Sequence, residues 1–259
     1  MIISKIQGGL GNQMFQYAYG KHLSYKYNTD LRLDTRFYDY PGTPKREFTL
    51  NKFPNTFPNT DMKLSLTGQV YKIDDDFKYK EIPNPLNDNY YLDGYWQSEK
   101  YFKESSDLIR EDFQPSKEVI SKLIKTPLID TNTISLHIRR TDYVTSNGYH
   151  PVQSIEYYKN AIDIIGDYDN IFVFSDDLKW CKDNLNFNNM IFMDGFTDVE
   201  DLHLMSLCNH NIIANSSFSW WGAWLNNNGD KKVIAPSKWF GDKTNLTSDD
   251  IIPTEWIKI

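Results

Sequence analysis

"TISLHIRRTDYV", residues 133–144, begins as a short β-rich run and ends in two adjacent arginines, a threonine and an aspartate before its closing Tyr-Val. A run of this length bounded by polar residues reads as a strand. Further runs of the same kind follow at 171–174 (IFVF), 190–193 (MIFM), 211–214 (NIIA) and 232–235 (KVIA). Segments with helical spacing separate them: Ile155, Tyr158, Ile162 and Ile165; a shorter piece over 178–185; Leu202, Met205 and Cys208; and Phe218, Trp221 and Leu225. Thr197 and Glu200 form a T-x-x-E capping box that starts the third of these helices. Strand and helix in regular alternation predict a parallel sheet wrapped by helices, a Rossmann-like domain.

Upstream, the chain opens in the same way. "MIISKI" reads as a strand, "QGGLG" as a turn, and 12–27 as a helix presenting Phe15, Ala18, Tyr19 and Leu23. Six of the 11 prolines then fall within 41–85, which predicts loops and short elements in a smaller α/β domain. Polar punctuation and two prolines over 115–132 place a boundary there. The expected division is a first α/β domain over 1–125 and a Rossmann-like second domain over 126–259.

Composition removes several classes of function. The chain has 259 residues, 40% of them hydrophobic, enough for one large domain or two modest ones. A net charge of −7 leaves no broad positive face for a nucleic acid backbone, so any bound anion must be small and locally held. Cys181 and Cys208 match neither a zinc site nor a disulfide framework, which implies a reducing compartment. "MIISKIQGGLGNQ" reaches polar residues and glycines too soon for a signal peptide, and no stretch approaches the ~20 apolar residues of a membrane helix. A cytoplasmic protein is expected, with peripheral membrane association left open, and the sequons at Asn215 and Asn245 are then silent.

In open α/β sheets ligands bind beyond the carboxyl ends of the strands. His137 and Arg139 follow the first strand of the second half. Ser175, Asp176 and Asp177 follow the next, Asp194 and Gly195 the third, and Asn215, Ser216 and Ser217 the fourth, so all are expected on one rim. A guanidinium offers a rigid fork of donors matched to phosphate. Arg139 is therefore the leading anion ligand, against an ordinary surface ion pair. Arg140, directed the other way in extended chain, is expected to pair with Asp142 or another carboxylate.

In "NSSFSWWGAWL", 215–225, Ser216 or Ser217 can cap a helix whose free N–H groups and dipole face an anion. Trp220, Trp221 and Trp224 read as core. "GGLGNQ", 8–13, places Gly8, Gly9 and Gly11 in a strand-to-helix turn with Asn12 and Gln13 at the helix start. Asp74, Asp75 and Asp76 contain the D-x-D of metal-dependent sugar transferases, but lie in the irregular region and read as a solvated charge run. Arg139 and the helix start at Ser216 and Ser217 together predict a nucleoside diphosphate site in the second half.

"GGLGNQMFQYA", "LHIRRTDYV" and "DLHLMSLCNHNIIANSSFSWWGAWL" resemble, in order along the chain, the signature segments of glycosyltransferase family 11, the α-1,2-fucosyltransferases, of bacterial or viral type. The resemblance implies a GT-B-like α/β fold of two Rossmann-like domains, with the donor in the C-terminal one and the acceptor on the N-terminal side. It implies GDP-fucose as donor, a galactose-terminated glycan as acceptor, inversion at the sugar, and neither metal nor other cofactor. By the same resemblance His137 and Asp201 contact guanine, Arg139 the β-phosphate, and Ser216 and Ser217 the phosphates, flanked by Asn215 and Phe218. Asp176 falls near the nucleoside, while Gly9, Gly11, Asn12 and Gln13 reach across the cleft. Some relatives carry a glutamate after the arginine motif as base, whereas 143–153 holds no carboxylate, which leaves Asp142 and His150 as candidates beside Arg139. A transferase of another linkage or donor, and a non-catalytic nucleotide- or carbohydrate-binding module, are the alternatives.

Overall fold

A computed structural model describes residues 1–41, 46–56, 69–72, 77–82, 89–123, 131–146 and 148–259. Asp74, Asp75 and Asp76 lie outside them. The chain divides into two compact units, Met1–Ser116 with Asp249–Ile251, and Lys117–Ser248 with Ile252–Ile259.

The first unit holds β1 (Ile2–Lys5), α1 (Leu10–Lys26), β2 (Leu31–Asp34), β3 (Gln69–Lys72), β4 (Tyr90–Asp93) and α2 (Ser106–Asp112). Its strands are all parallel, in the order β2-β1-β4-β3. Ile2, Met14, Phe15, Ala18 and Leu92 are fully buried where α1 lies on the sheet. Gly20 permits that approach, since a Cβ there would stand 2.8 Å from Leu31 Cδ1 and 3.1 Å from Ser4 Cβ. The short segment Asp249–Ile251 belongs to this unit because Asp250 pairs with Lys100 and accepts from the Tyr79 amide at 2.8 Å.

The second unit holds α3 (Lys117–Leu123), β5 (Thr133–Ile138), α4 (Thr141–Val144), α5 (Ile155–Ile165) and β6 (Asn170–Ser175). It continues through α6 (Leu178–Asn184), β7 (Met190–Phe192), α7 (Asp198–Leu207), β8 (His210–Ile212), α8 (Ser217–Leu225), β9 (Val233–Ala235) and β10 (Ile257–Lys258). The parallel sheet runs β10-β9-β8-β5-β6-β7. β6 makes the layering plain, because alternate side chains of a strand face opposite sides. Ile171 and Val173 join Tyr158, Ile162 and Cys181 on one face, while Phe172 and Phe174 join Leu123, Leu204 and Met205 on the other. No described helix is long and apolar enough to cross a membrane.

The expected division at 125/126 moves to 116/117. α3 carries Leu123 into the core beneath α7, and Lys122 Nζ meets Glu200 Oε2 at 2.9 Å, so this helix packs with the second sheet. The capping box holds as read: the Thr197 hydroxyl accepts from the Glu200 amide, and Glu200 Oε2 accepts from the Thr197 amide at 2.8 Å. The three tryptophans of α8 pack on one another, with Trp220 stacked on Trp224 at 6.2 Å and also against Trp256 at 5.4 Å.

Candidate functional site

Where β5 ends, the chain turns at once into α4, so Arg139 and Arg140 do not continue as extended strand. Arg140 finds the expected carboxylate partner in Asp177 rather than in Asp142. Arg139, not Arg140, meets Asp142, with Nη2 2.7 Å from Oδ1, and its Nη1 lies 3.2 Å from Asp176 Oδ2 at the end of β6. Arg140 packs its guanidinium 3.7 Å above the Trp180 ring and reaches Asp177 Oδ2 at 3.4 Å, a structural role.

Asp176 fixes this corner. Its carboxylate accepts from the Arg140 amide at 2.9 Å, from the Thr141 amide at 3.2 Å and from the Thr141 hydroxyl, capping α4 from the neighbouring strand. Burial alone would raise its pKa, but the Thr141 hydrogen bond and the Arg139 charge outweigh it and hold the group below the usual carboxylate range. Arg139 in turn loses by burial but gains more from Asp176 and Asp142, so its charge is secure.

His137 is buried beneath the guanidinium. Burial and then the Arg139 charge lower its pKa to about 3, leaving a neutral imidazole whose buried Nδ1 has no hydrogen-bond partner. Phe218, at the start of α8, sets its ring 5.7 Å from that imidazole. Ser216 is the N-cap of α8, its hydroxyl accepting from the Phe218 amide at 3.4 Å, and Ser217 is the first helical residue.

Tyr143, which sequence reasoning passed over, ties the corner together. Its hydroxyl donates to the Asn215 carbonyl at 2.9 Å, its ring stacks on His150 at 4.8 Å, and the Arg139 guanidinium lies over it at 5.6 Å. Burial lowers the His150 pKa against the opposing pull of Asp142.

The clusters at β5, β6 and β8 therefore converge, through Arg139–Asp176 and Tyr143–Asn215. The β7 group does not join them: Asp194 turns to solvent, 3.7 Å from Lys182 Nζ. The Asn215 side-chain amide donates to the carbonyls of Pro151 at 3.1 Å and Trp239 at 2.9 Å, while its Oδ1 is buried without a partner. Asp201 lies in the first turn of α7. Burial, then the charges of Glu200 and Asp198, push its pKa up to about 7, and its Oδ1 is buried without a partner.

In the first unit Gly8 takes φ +82°, and Gly9 precedes α1 as its N-cap, with Gly11 in the first turn. Asn12 accepts from Gln97 Nε2 at 2.8 Å. Gln13 is fully buried, donating to the Gly8 and Glu47 carbonyls at 3.1 and 2.8 Å and accepting from the Thr49 amide at 2.9 Å. Among the described residues no group of His, Cys, Asp and Glu is assembled as a metal cluster.

Parallel sheets wrapped by helices, the second carrying a half-buried arginine at the end of one strand and a hydroxyl-capped helix after another, are the arrangement of a GT-B glycosyltransferase. The fold is similar to that of the fucosyltransferase NodZ from Bradyrhizobium, with TM-score 0.54 and 15% identity over 85% of this chain and 91% of that one. NodZ soaked with GDP-fucose gives TM-score 0.53 and 16% identity over 86% and 91%. The chain belongs to glycosyltransferase family 11, whose family model matches residues 4–259. It is 36% identical to an alpha-1,2-colitosyltransferase of Escherichia coli, over 100% of this chain and 99% of the relative. It is 32% identical to the O-antigen biosynthesis glycosyltransferase WbnK of Escherichia coli, over 96% and 99%.

Proposed function

We propose that this glycosyltransferase moves L-fucose from GDP-β-L-fucose to O2 of a terminal galactose in a glycan acceptor, giving an α-1,2 linkage with inversion and without a divalent metal. The observation that carries the reading is Arg139, buried to 20% side-chain exposure, pre-oriented by Asp142 and Asp176, beside the neutral His137. The NodZ structure soaked with GDP-fucose supports the donor by likeness of fold, and the colitosyltransferase supports the linkage.

In a single displacement the acceptor hydroxyl attacks C1 as GDP departs, and negative charge grows on the β-phosphate. Arg139, the Ser216 and Ser217 hydroxyls and the α8 N-terminus would oppose that charge, pre-organised donors being the largest contribution in such sites. Asp142 and His150 are the two groups of this segment able to take the acceptor proton.

Removal of one pre-organised donor costs roughly 10²-fold or more in rate. Arg139→Ala is therefore expected to lose nearly all transfer of radiolabelled fucose to a galactoside while still folding. Wild-type turnover by this variant, or complete inactivation of the native protein by EDTA, would overturn the reading.

A second donor is favoured by the whole-length likeness to a colitosyltransferase. Colitose is fucose without its 3-hydroxyl, and a site built to hydrogen-bond a hydroxyl rejects the analogue lacking it by a large factor, about 10⁴ or more. Rates with the two GDP-linked sugars decide between them.

A further inference from the structure

The first unit carries a cavity of about 260 Å³ lined by Lys5, Asp34, Arg36, Phe37, Tyr40 and Tyr91. Lys5, Asp34 and Asp93 are the last residues of β1, β2 and β4. The chain leaves β1 for β2 on one side, while β4 and β3 add on the other. Strand order thus reverses at β1, where an open parallel sheet leaves a crevice beyond its carboxyl ends.

The charges of this crevice cancel in pairs. Lys5 Nζ lies 2.9 Å from Asp93 Oδ1. Arg36 grips Asp34 with Nε at 2.8 Å and Nη2 at 2.6 Å, and the Tyr91 hydroxyl donates to Asp34 Oδ2 at 2.8 Å. A phosphate or carboxylate finds no surplus positive charge there, unlike at a guanidinium awaiting its anion. What remains are fixed polar groups able to meet vicinal hydroxyls, beside aromatic faces able to cover C–H groups. Phe37 is braced edge-on by Tyr38 at 5.3 Å and 86°, and Tyr40 is 60% exposed. The volume falls just short of the roughly 300–1,000 Å³ of pockets for drug-sized ligands, which suits a single ring better than a nucleotide.

We propose that this cavity binds one neutral pyranose unit of the acceptor glycan. The acceptor part of the statement rests on the transferase reading above; the saccharide site does not.

Saturation-transfer NMR on the intact protein, with methyl glycosides of galactose, glucose and N-acetylglucosamine as probes, tests the site without any turnover. At least one glycoside is expected to bind the native protein. Tyr40→Ala and Arg36→Ala should each weaken that binding tenfold or more and raise the acceptor KM in parallel, with GDP affinity unchanged. Tyr40→Ala alters an exposed ring and keeps the test valid should Arg36→Ala, which strips Asp34 of its positive partner, fail to fold. Binding of no neutral glycoside by the native protein, or binding undiminished in Tyr40→Ala, overturns the proposal. Glycoside binding lost in the variants of a protein that transfers no sugar sustains the site and removes only the transferase reading.

Discussion

Two neighbouring arginines have opposite fates because the backbone turns between them. Arg139 leaves β5 toward Asp142 and Asp176, whereas Arg140 lies on Trp180. The type and number of these side chains were readable in the sequence, but their assignment to carboxylates was not, since α4 spans only Thr141–Val144 and has too little length to leave a periodic pattern. The segment that follows is held by a contact of two glycines. A Cβ on Gly241 would stand 1.6 Å from the Gly148 carbonyl oxygen, and Gly148 itself takes φ +81°. Gly241→Ala must therefore push away the loop bearing Tyr149 and His150. Displacing such a loop by about 1 Å can cost on the order of 10²-fold in turnover. The expected outcome is a folded protein with kcat lowered by about that factor. An unchanged kcat would show that the loop takes no part in transfer.

At the scale of elements, α7 and α8 lie in close contact through Gly222, where a Cβ would stand 2.8 Å from Met205 Cβ. A β-branched residue there meets a filled interface, and overpacking of this kind costs about 1–3 kcal/mol. Gly222→Val should lower the urea midpoint accordingly, whereas Gly229→Ala, with nothing within 4 Å of its added Cβ, should leave it in place. Equal midpoints for the two variants would contradict the packing described. The central strands and α5 were legible because apolar periodicity records which face is covered. β10, a pair of residues at Ile257–Lys258, and the membership of α3 in the second unit were not, since neither is encoded by a local pattern.

For the molecule as a whole, buried titratable groups of the second unit set the response to pH. His137 falls from 6.5 to about 3, by burial and the Arg139 charge, and His203 from 6.5 to about 4 by burial. In both, the unfolded chain takes the proton first, so their contribution is full above 6.5 and is lost as pH falls through the folded values. Asp201 acts in the other direction. Raised from 3.8 to about 7 by burial and then by Glu200 and Asp198, it contributes fully below 3.8 and loses that contribution as pH rises through 7. Stability is expected to climb toward 6.5 and then to stop rising. Asp201→Asn removes only the opposing limb, so its urea midpoint relative to the native protein should be higher at about pH 8 than at about pH 5. The same difference at both values would show that this carboxylate does not titrate in the interval.

The sequence alone determined the alternating parallel architecture, the helix start at Thr197, the tryptophan core of α8 and the family, because these follow from local spacing and from motifs contiguous in the chain. Only the tertiary structure decided which carboxylates hold Arg139, that Gln13 and Asn215 serve as internal ties, and that Tyr143 joins β5 to β8. The paired charges of the first-unit cavity belong to the same class. Each depends on groups from separate strands meeting within hydrogen-bonding distance. Pairing between residues as far apart as Lys5 and Asp93 leaves no trace in their sequence spacing.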